Sequence, residues 1–277
     1  MKKKNFIRRY PVFVIFSVLA LMIIFAAVFA PVICGNTDPI KGSIKDSIMA
    51  PSHDHIFGTD KMGRDIFARV IYGARTSLSA TFILVGIIFL LGSFLGIISG
   101  YFGGIADAVI MRLADMMMAF PGLVLAIAVA GILGSSIPNA IIAISLVSWP
   151  KYARLARSMV LKIKNADYVK AAIVTGSKTP YILFRYMLPN VFPIMLITAA
   201  TDIGGMMMEL AALSFLGFGA VPPAPEWGHM LNEGRSFMQS APWMMIYPGL
   251  AIFITVVVFN MLGDSIRDIL DPKGKAR

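Results

Sequence analysis

The chain has 277 residues, 57% of them hydrophobic and only 14% charged, with a formal net charge of +10 and a mean hydropathy of +0.77. That balance excludes an ordinary soluble domain and indicates an integral membrane protein. The cations fall between apolar runs, so anionic lipid is the expected partner and nucleic acid is not. A single cysteine, Cys34, excludes an intrachain disulfide and any CxxC metal or redox motif. No internal repeat or low-complexity tract is present, and one all-α, polytopic domain is the simplest organisation.

The N-terminus carries Lys2, Lys3, Lys4, Arg8 and Arg9, followed by an apolar run over 12–34. Val28-Phe29-Ala30 offers a small-residue cleavage site, but signal-peptide cores are about 7–15 residues long and this run is roughly 20, enough to cross a bilayer. It is read as a retained first span with its basic flank in the cytoplasm. Residues 35–79 are polar and nearly charge-balanced, as suits an external segment. Within them Ile66, Phe67, Val70 and Ile71 recur at helical spacing, predicting a short amphipathic helix along the membrane surface. His53-Asp54-His55 is read as a solvated loop rather than a metal site.

A second span is predicted over 80–102. Gly92, Gly96, Gly100 and Gly104 lie every fourth residue and form a stripe along which another helix can approach closely. A connection bearing Asp107, Arg112 and Asp115 leads to a third span ending near 134, its entry bent by Pro121 and Gly122. The fourth apolar run, 138–149, is short. Its helix is expected to carry on past Pro150 with a kink and to deliver Lys151 and Arg154 to the inner face.

Residues 151–190 form the most basic stretch, with Lys151, Arg154, Arg157, Lys162, Lys164, Lys170, Lys178 and Arg185 against Asp167. A fifth span, 191–218, contains Asp202 and Glu209, seven residues apart on one face with Met206 between them. They are candidate pathway residues, and an interhelical ion pair is the competing role. The Pro-rich segment that follows is placed outside, with Trp227 and Trp243 at the interface. A sixth span covers 244–263. With the N-terminus inside, 18 of the 25 lysines and arginines fall on the cytoplasmic side and 7 outside, as the positive-inside rule requires. Both termini are then cytoplasmic, and 151–190 is the largest cytoplasmic loop.

Within that loop a short helix is expected over 167–178. Asp167 caps it, Tyr168, Ala171, Ala172 and Thr175 share a face, and Gly176 ends it. A helix of this kind displayed below the membrane suits another protein's groove or an anionic lipid surface.

The residues AAIVTGSKTPYILFRYMLP resemble the cytoplasmic signature of ABC-importer permeases, E-A-A-x3-G-x9-I-x-L-P. Ala171, Ala172, Gly176, Leu188 and Pro189 match it, while Lys170 replaces the Glu and Tyr186 the Ile. GTDKMGRDIFARVIYGARTSL (58–78), ELAALSFLGFG (209–219) and PEWGHML (225–231) resemble the C-type permeases of dipeptide, oligopeptide and nickel importers. The resemblance spans essentially the whole chain. It implies a type I ABC importer subunit with six transmembrane helices in the bacterial inner membrane. In that scheme 1–79 form a tail, first span and external segment, and 80–277 the permease domain.

A second homologous permease would complete a heterodimeric pathway. Two cytoplasmic ATPases would supply ATP and Mg chemistry, and an extracytoplasmic binding protein would deliver substrate. The helix bearing Tyr168, Ala171, Ala172 and Gly176 would be the coupling helix. The chain itself has no G-x-x-x-x-G-K-[ST] phosphate loop, so it is expected to be neither an enzyme nor a cofactor binder. Two readings of other classes stand beside this one: an ion-coupled carrier using Asp202 and Glu209, and a non-transporting scaffold. For the cargo, ATDIGGMMMELAALSFLGFG is closer to nickel permeases of the family, which favours nickel or a nickel chelate over a di- or oligopeptide. Asp202, Met206 and Glu209 are not read as a nickel site, because a soft thioether suits carboxylates and hydrated Ni²⁺ poorly.

Overall fold

A computed structural model describes residues 9–35 and 37–270, so Lys2, Lys3, Lys4, Arg8, Lys273, Lys275 and Arg277 lie outside it. Helix α1 (Pro11–Val28) and the short α2 (Ala30–Ile33) form the first apolar segment. Alanines 20 and 27 of α1 are buried with Ile66, Val70, Ile252 and Phe259 in one core cluster, so this helix is an integral part of the bundle.

Next comes α3 (Ile66–Phe102), started by Asp65, whose carboxylate accepts the Ala68 N–H at 2.8 Å. Its 37 residues rise about 55 Å. The separate surface helix expected near 66–79 is therefore the first four turns of a continuous helix. The physical reason is that Ile66, Val70 and Ala74 bury themselves against Trp227, Met230 and Met244 instead of facing lipid headgroups.

After Gly103 the connection is itself a helix, α4 (Gly104–Met118), followed by α5 (Gly122–Leu133) at a bend of 96°. Pro121 sits at the break as expected, since it lacks an N–H and its ring excludes a continuous helix. Alone, α5 rises about 18 Å, short of the hydrocarbon thickness, so the pair forms one broken span. Helix α6 (Ile137–Lys164) begins where Ser136 Oγ accepts the Asn139 N–H, and it runs unbroken through Pro150. Beyond it lie α7 (Asp167–Val174), α8 (Thr179–Ile182), a π-helical turn at Leu183–Met187 and α9 (Leu188–Phe215). Finally come α10 (Trp227–Gly234) and α11 (Trp243–Leu270).

The chain is thus all-helical, with no strand among the described residues. Four segments, α1, α3, α8 through α9, and α11, are long and apolar enough to cross a membrane. Counted as one span, the bent α4–α5 pair gives a fifth, and α6, whose second half is basic, is at 28 residues, about 42 Å, long enough to be a sixth. The segments alternate in direction and define two ends. The basic end holds α4, α7 and α8. The far end holds the 37–65 segment and the 216–242 segment containing α10.

The most extensive helix contact joins α3 to α6. A Cβ at Gly92 would lie 2.4 Å from Tyr152 Cβ, and one at Gly96 would lie 2.3 Å from the Ala153 carbonyl oxygen. At Gly100 it would meet Val160 Cβ at 2.8 Å. These distances leave room only for hydrogen, so the stripe is a contact seam. Gly104 does not belong to it, because α3 ends at Phe102 and nothing lies within 4 Å of a Cβ there.

Trp227 also departs from expectation. It is buried at 3% exposure and donates its Nε1–H to the Val70 carbonyl at 2.9 Å, inside the far-end core rather than at a lipid interface. Half-buried Trp243 donates to the Thr59 carbonyl at 3.2 Å.

Replacing Gly96 by Leu is expected to destabilise the purified protein by about 1–3 kcal/mol or more, because the backbone of α6 cannot yield. Gly86, on the same helix with nothing within 4 Å of a Cβ, should accept Ala without loss. Thermal unfolding in detergent compares the two, and equal melting temperatures would refute the seam.

Candidate functional site

At the basic end α7 follows α6 after only Asn165 and Ala166. Asp167 does not cap it. Ala166 holds the cap position without a side-chain bond, and Asp167 lies in the first turn, where its charge favours the helix dipole. The other end closes as predicted. Gly176 adopts φ +83°, Ser177 N–H donates to Ala172 O and Gly176 N–H to Ile173 O, each at 3.0 Å. This is a Schellman closure, which requires a left-handed residue that glycine supplies without strain.

The predicted shared face divides in two. Val169 and Ala172 turn inward, with Val169 in the main core cluster, so the small Ala172 lets α7 seat closely. Tyr168, Ala171 and Thr175 are exposed. Beside them Ile173, Val174 (87% exposed), Tyr181 and Phe184 also face outward. The ring of Tyr186, at the variant signature position, lies 5.8 Å from Tyr168 and 6.0 Å from Tyr181. Lys170 comes no nearer than 4.0 Å to Asp167. Leu188 and Pro189 open α9, where proline at the first turn forfeits no helical bond. Together these residues form an apolar, aromatic-edged surface shaped for a protein groove.

The basic stretch is not simply a lipid-facing loop, because three of its cations on α6 meet carboxylates from neighbouring helices. Lys151 Nζ donates to both oxygens of Asp202 on α9, at 2.7 and 2.8 Å. Arg154 donates to Asp115 of α4. Arg157 grips Asp107 of α4 through Nε and Nη2, each at 2.6 Å, and Ser99 Oγ donates to the same carboxylate. The spacing 151, 154, 157 was visible in the sequence, but which carboxylates it meets depends on how α4 folds back.

Asp202, Met206 and Glu209 share a face of α9 but have different surroundings. Asp202 is ion-paired, Met206 is packed in the core cluster, and Glu209 is half-buried without a hydrogen-bond partner among the described residues. No group of three or more His, Cys, Asp or Glu side chains among the described residues is placed to hold a metal. His55 Nδ1 lies 2.9 Å from Asp65 Oδ2, and His53 is exposed.

The far end carries a charge cluster that the near balance of 35–79 concealed. Arg64 binds Asp60 through Nε at 2.6 Å and Glu233 through Nη2 at 2.8 Å. Arg69 binds Glu233 at 2.9 Å, lies 3.5 Å from Asp60, and donates to the Pro39 and Pro223 carbonyls. All four side chains are buried. Next to them Glu226 caps α10, accepting the Gly228 and His229 N–H groups, and also accepts from Ser77 Oγ at 3.1 Å.

The 58–78 and 225–231 motifs are thus two halves of one contact. Burial holds the Glu226 carboxyl above the usual range despite these bonds. Burial also lowers the His229 imidazole, and Arg69, Arg64 and Lys61 push the same way against Glu233. Although burial raises Glu233, Arg69 and Arg64 hold it below the ordinary carboxylate range.

Residues 92–275 match the family described as "Binding-protein-dependent transport system inner membrane component". A dipeptide transport system permease of Alkalihalophilus pseudofirmus is 44% identical over 257 residues, covering 91% of this chain and 83% of the relative. A glutathione transport system permease of Pectobacterium atrosepticum is 46% identical over 226 residues, covering 82% and 75%. Among solved structures, an inward-facing methionine ABC transporter aligns with a TM-score of 0.57 at 19% identity, over 73% of this chain and 97% of that one. This last likeness concerns the fold.

His229 and Glu233 make stability fall with acid. A histidine lowered in the native state binds its proton mainly when unfolded, so stability declines as pH drops below about 6.5. Glu233, depressed, adds a further loss below about pH 4.3. Glu226, raised, acts in the opposite sense, so the His229 contribution is read as a difference. His229→Gln should flatten the fall in melting temperature between pH 7 and pH 5, and parallel curves would refute the assignment.

Proposed function

Because the chain belongs to the family of binding-protein-dependent transport system inner membrane components, we propose that it is the permease subunit forming half the pathway of an ATP-driven importer of di- or oligopeptides. The observation that carries this reading is α7: a short, glycine-closed helix at the basic end, with Ile173 and Val174 bare beside the matched signature residues. Tyr168, Ala171, Ala172 and Gly176 are its coupling residues. Ala172 and Gly176 act by seating and closing the helix, Tyr168 and Ala171 by facing the ATPase, and Leu188 and Pro189 by fixing the start of α9. Two ATPase subunits bind there and hold ATP and Mg. A second, homologous permease completes the pathway, and the binding protein docks at the far end.

The cargo is a peptide in this reading. The two relatives reported above are named for dipeptides and glutathione, which favours a peptide over the nickel preference read from 200–219. An ion-coupled carrier is less favoured, since Lys151 already neutralises Asp202.

Co-expressed with its partner permease, ATPases and binding protein in proteoliposomes, the chain should support ATP-dependent dipeptide uptake. Val174→Asp should reduce ATPase association and peptide-stimulated hydrolysis about tenfold, as for loss of a central apolar contact, while leaving insertion intact. Wild-type hydrolysis in that variant would remove α7 from the interface.

We place the basic end in the cytoplasm, with both termini. In a Cys34→Ser background, cysteine at Lys164 should resist an impermeant external thiol reagent while cysteine at His55 reacts. The reverse pattern would invert the orientation.

A further inference from the structure

On the face where α9 lies between α6 and α11, the bundle contains an open cavity of about 570 Å³. Leu155, Ile194 and Ile197 give it an apolar wall, and Lys151, Asp202 and Arg267 line its polar side. The charges do not balance. Asp202 takes two bonds from Lys151, whose side chain is still 60% exposed and whose ammonium keeps a third N–H. Arg267, on the last turn of α11, is exposed and has no carboxylate or hydrogen-bond partner among the described residues. Among the described residues that line it, the cavity therefore carries one uncompensated positive charge. Two threonines complete it. Thr198 donates to the Ile194 carbonyl and Thr201 to the Thr198 carbonyl, each at 2.9 Å, so their hydroxyl oxygens offer lone pairs to a donor.

We propose that this cavity is a subsite for the carboxylate end of a small peptide on its way through the permease. It rests on the peptide-importer reading above. Arg267 supplies the planar fork that a carboxylate fits, and Lys151 supplies a second donor held in place by Asp202. The Leu155 and isoleucine wall takes the apolar body, and a threonine oxygen accepts the adjoining amide N–H. The volume is within the usual range for a small-ligand site. Glu209, two turns away on α9, takes no part.

The test uses the complete importer, with wild-type chain, Arg267→Gln and Arg267→Lys. Equilibrium binding of radiolabelled alanyl-alanine and of its C-terminal amide is measured on the permease–ATPase complex in nanodiscs containing phosphatidylglycerol, without binding protein. Uptake is measured in proteoliposomes with it. Arg267→Gln should weaken alanyl-alanine binding about tenfold, as for loss of a charge-assisted pair. Arg267→Lys should restore most of it, and the amide should bind all three forms alike.

If wild type takes up dipeptide and Arg267→Gln binds it equally well, the subsite is wrong and the importer reading stands. Should that variant instead lose bound phosphatidylglycerol with peptide binding unchanged, the cation serves a lipid headgroup and the proposal also falls. If wild type transports no dipeptide, the peptide reading falls and takes the subsite with it.

Discussion

Arg69 is one of the largest fully buried side chains in the protein, and its charge governs the far end of the bundle. An unpaired guanidinium in such surroundings costs several kcal/mol, so the fold must bring carboxylates to it. Asp60 comes from the segment before α3 and Glu233 from α10, more than 160 residues later. With Arg64 bridging the same two acids, the four charges cancel. The cost of parting any one of them fixes the 37–65 segment onto α10 and holds the first turns of α3 inside protein. The neighbouring contacts follow: Trp227 is drawn under α3, and Glu226 both caps α10 and accepts from Ser77.

At the other end the organising element is α6. On one side it takes the glycine seam of α3, where the α3 backbone lies directly against the backbone and Cβ atoms of α6. On another it offers Lys151, Arg154 and Arg157 at three-residue spacing to acids on α9 and α4. These pairs are partly exposed, and their worth in stability is modest. Their directional effect is larger, because each names one acid on one helix. Helix α7 hangs from this element by two residues, so its placement is inherited from α6.

Much of this architecture was legible in the linear chain. The apolar runs located the membrane segments, because a bilayer admits only helices or closed barrels and sets their length. Gly176 and the small residues before it located α7 and its end, since a left-handed closure is a local demand on backbone geometry. The glycine spacing announced a close helix contact, though not its partner. The errors fell where distant groups intervene. The start of α3 has the amphipathic pattern of a helix on the membrane surface, but its apolar side is covered by Trp227, Met230 and Met244. Asp167 has the chemistry of a cap and loses the position to Ala166. Trp227 has the amphipathic ring of an interface residue, and its indole N–H instead finds the Val70 carbonyl.

The sequence by itself determined the class, the spans and the displayed helix, because those depend on local hydropathy, spacing and turn chemistry. Tertiary structure alone decided which charges meet. Asp202 is paired with Lys151 from another helix, while Arg267, in sequence an ordinary tail cation, stands at the same cavity with no partner among the described residues. The physical reason is that an ion pair is set by distances of a few ångströms between helices far apart in the chain, and hydropathy and spacing carry no information about them.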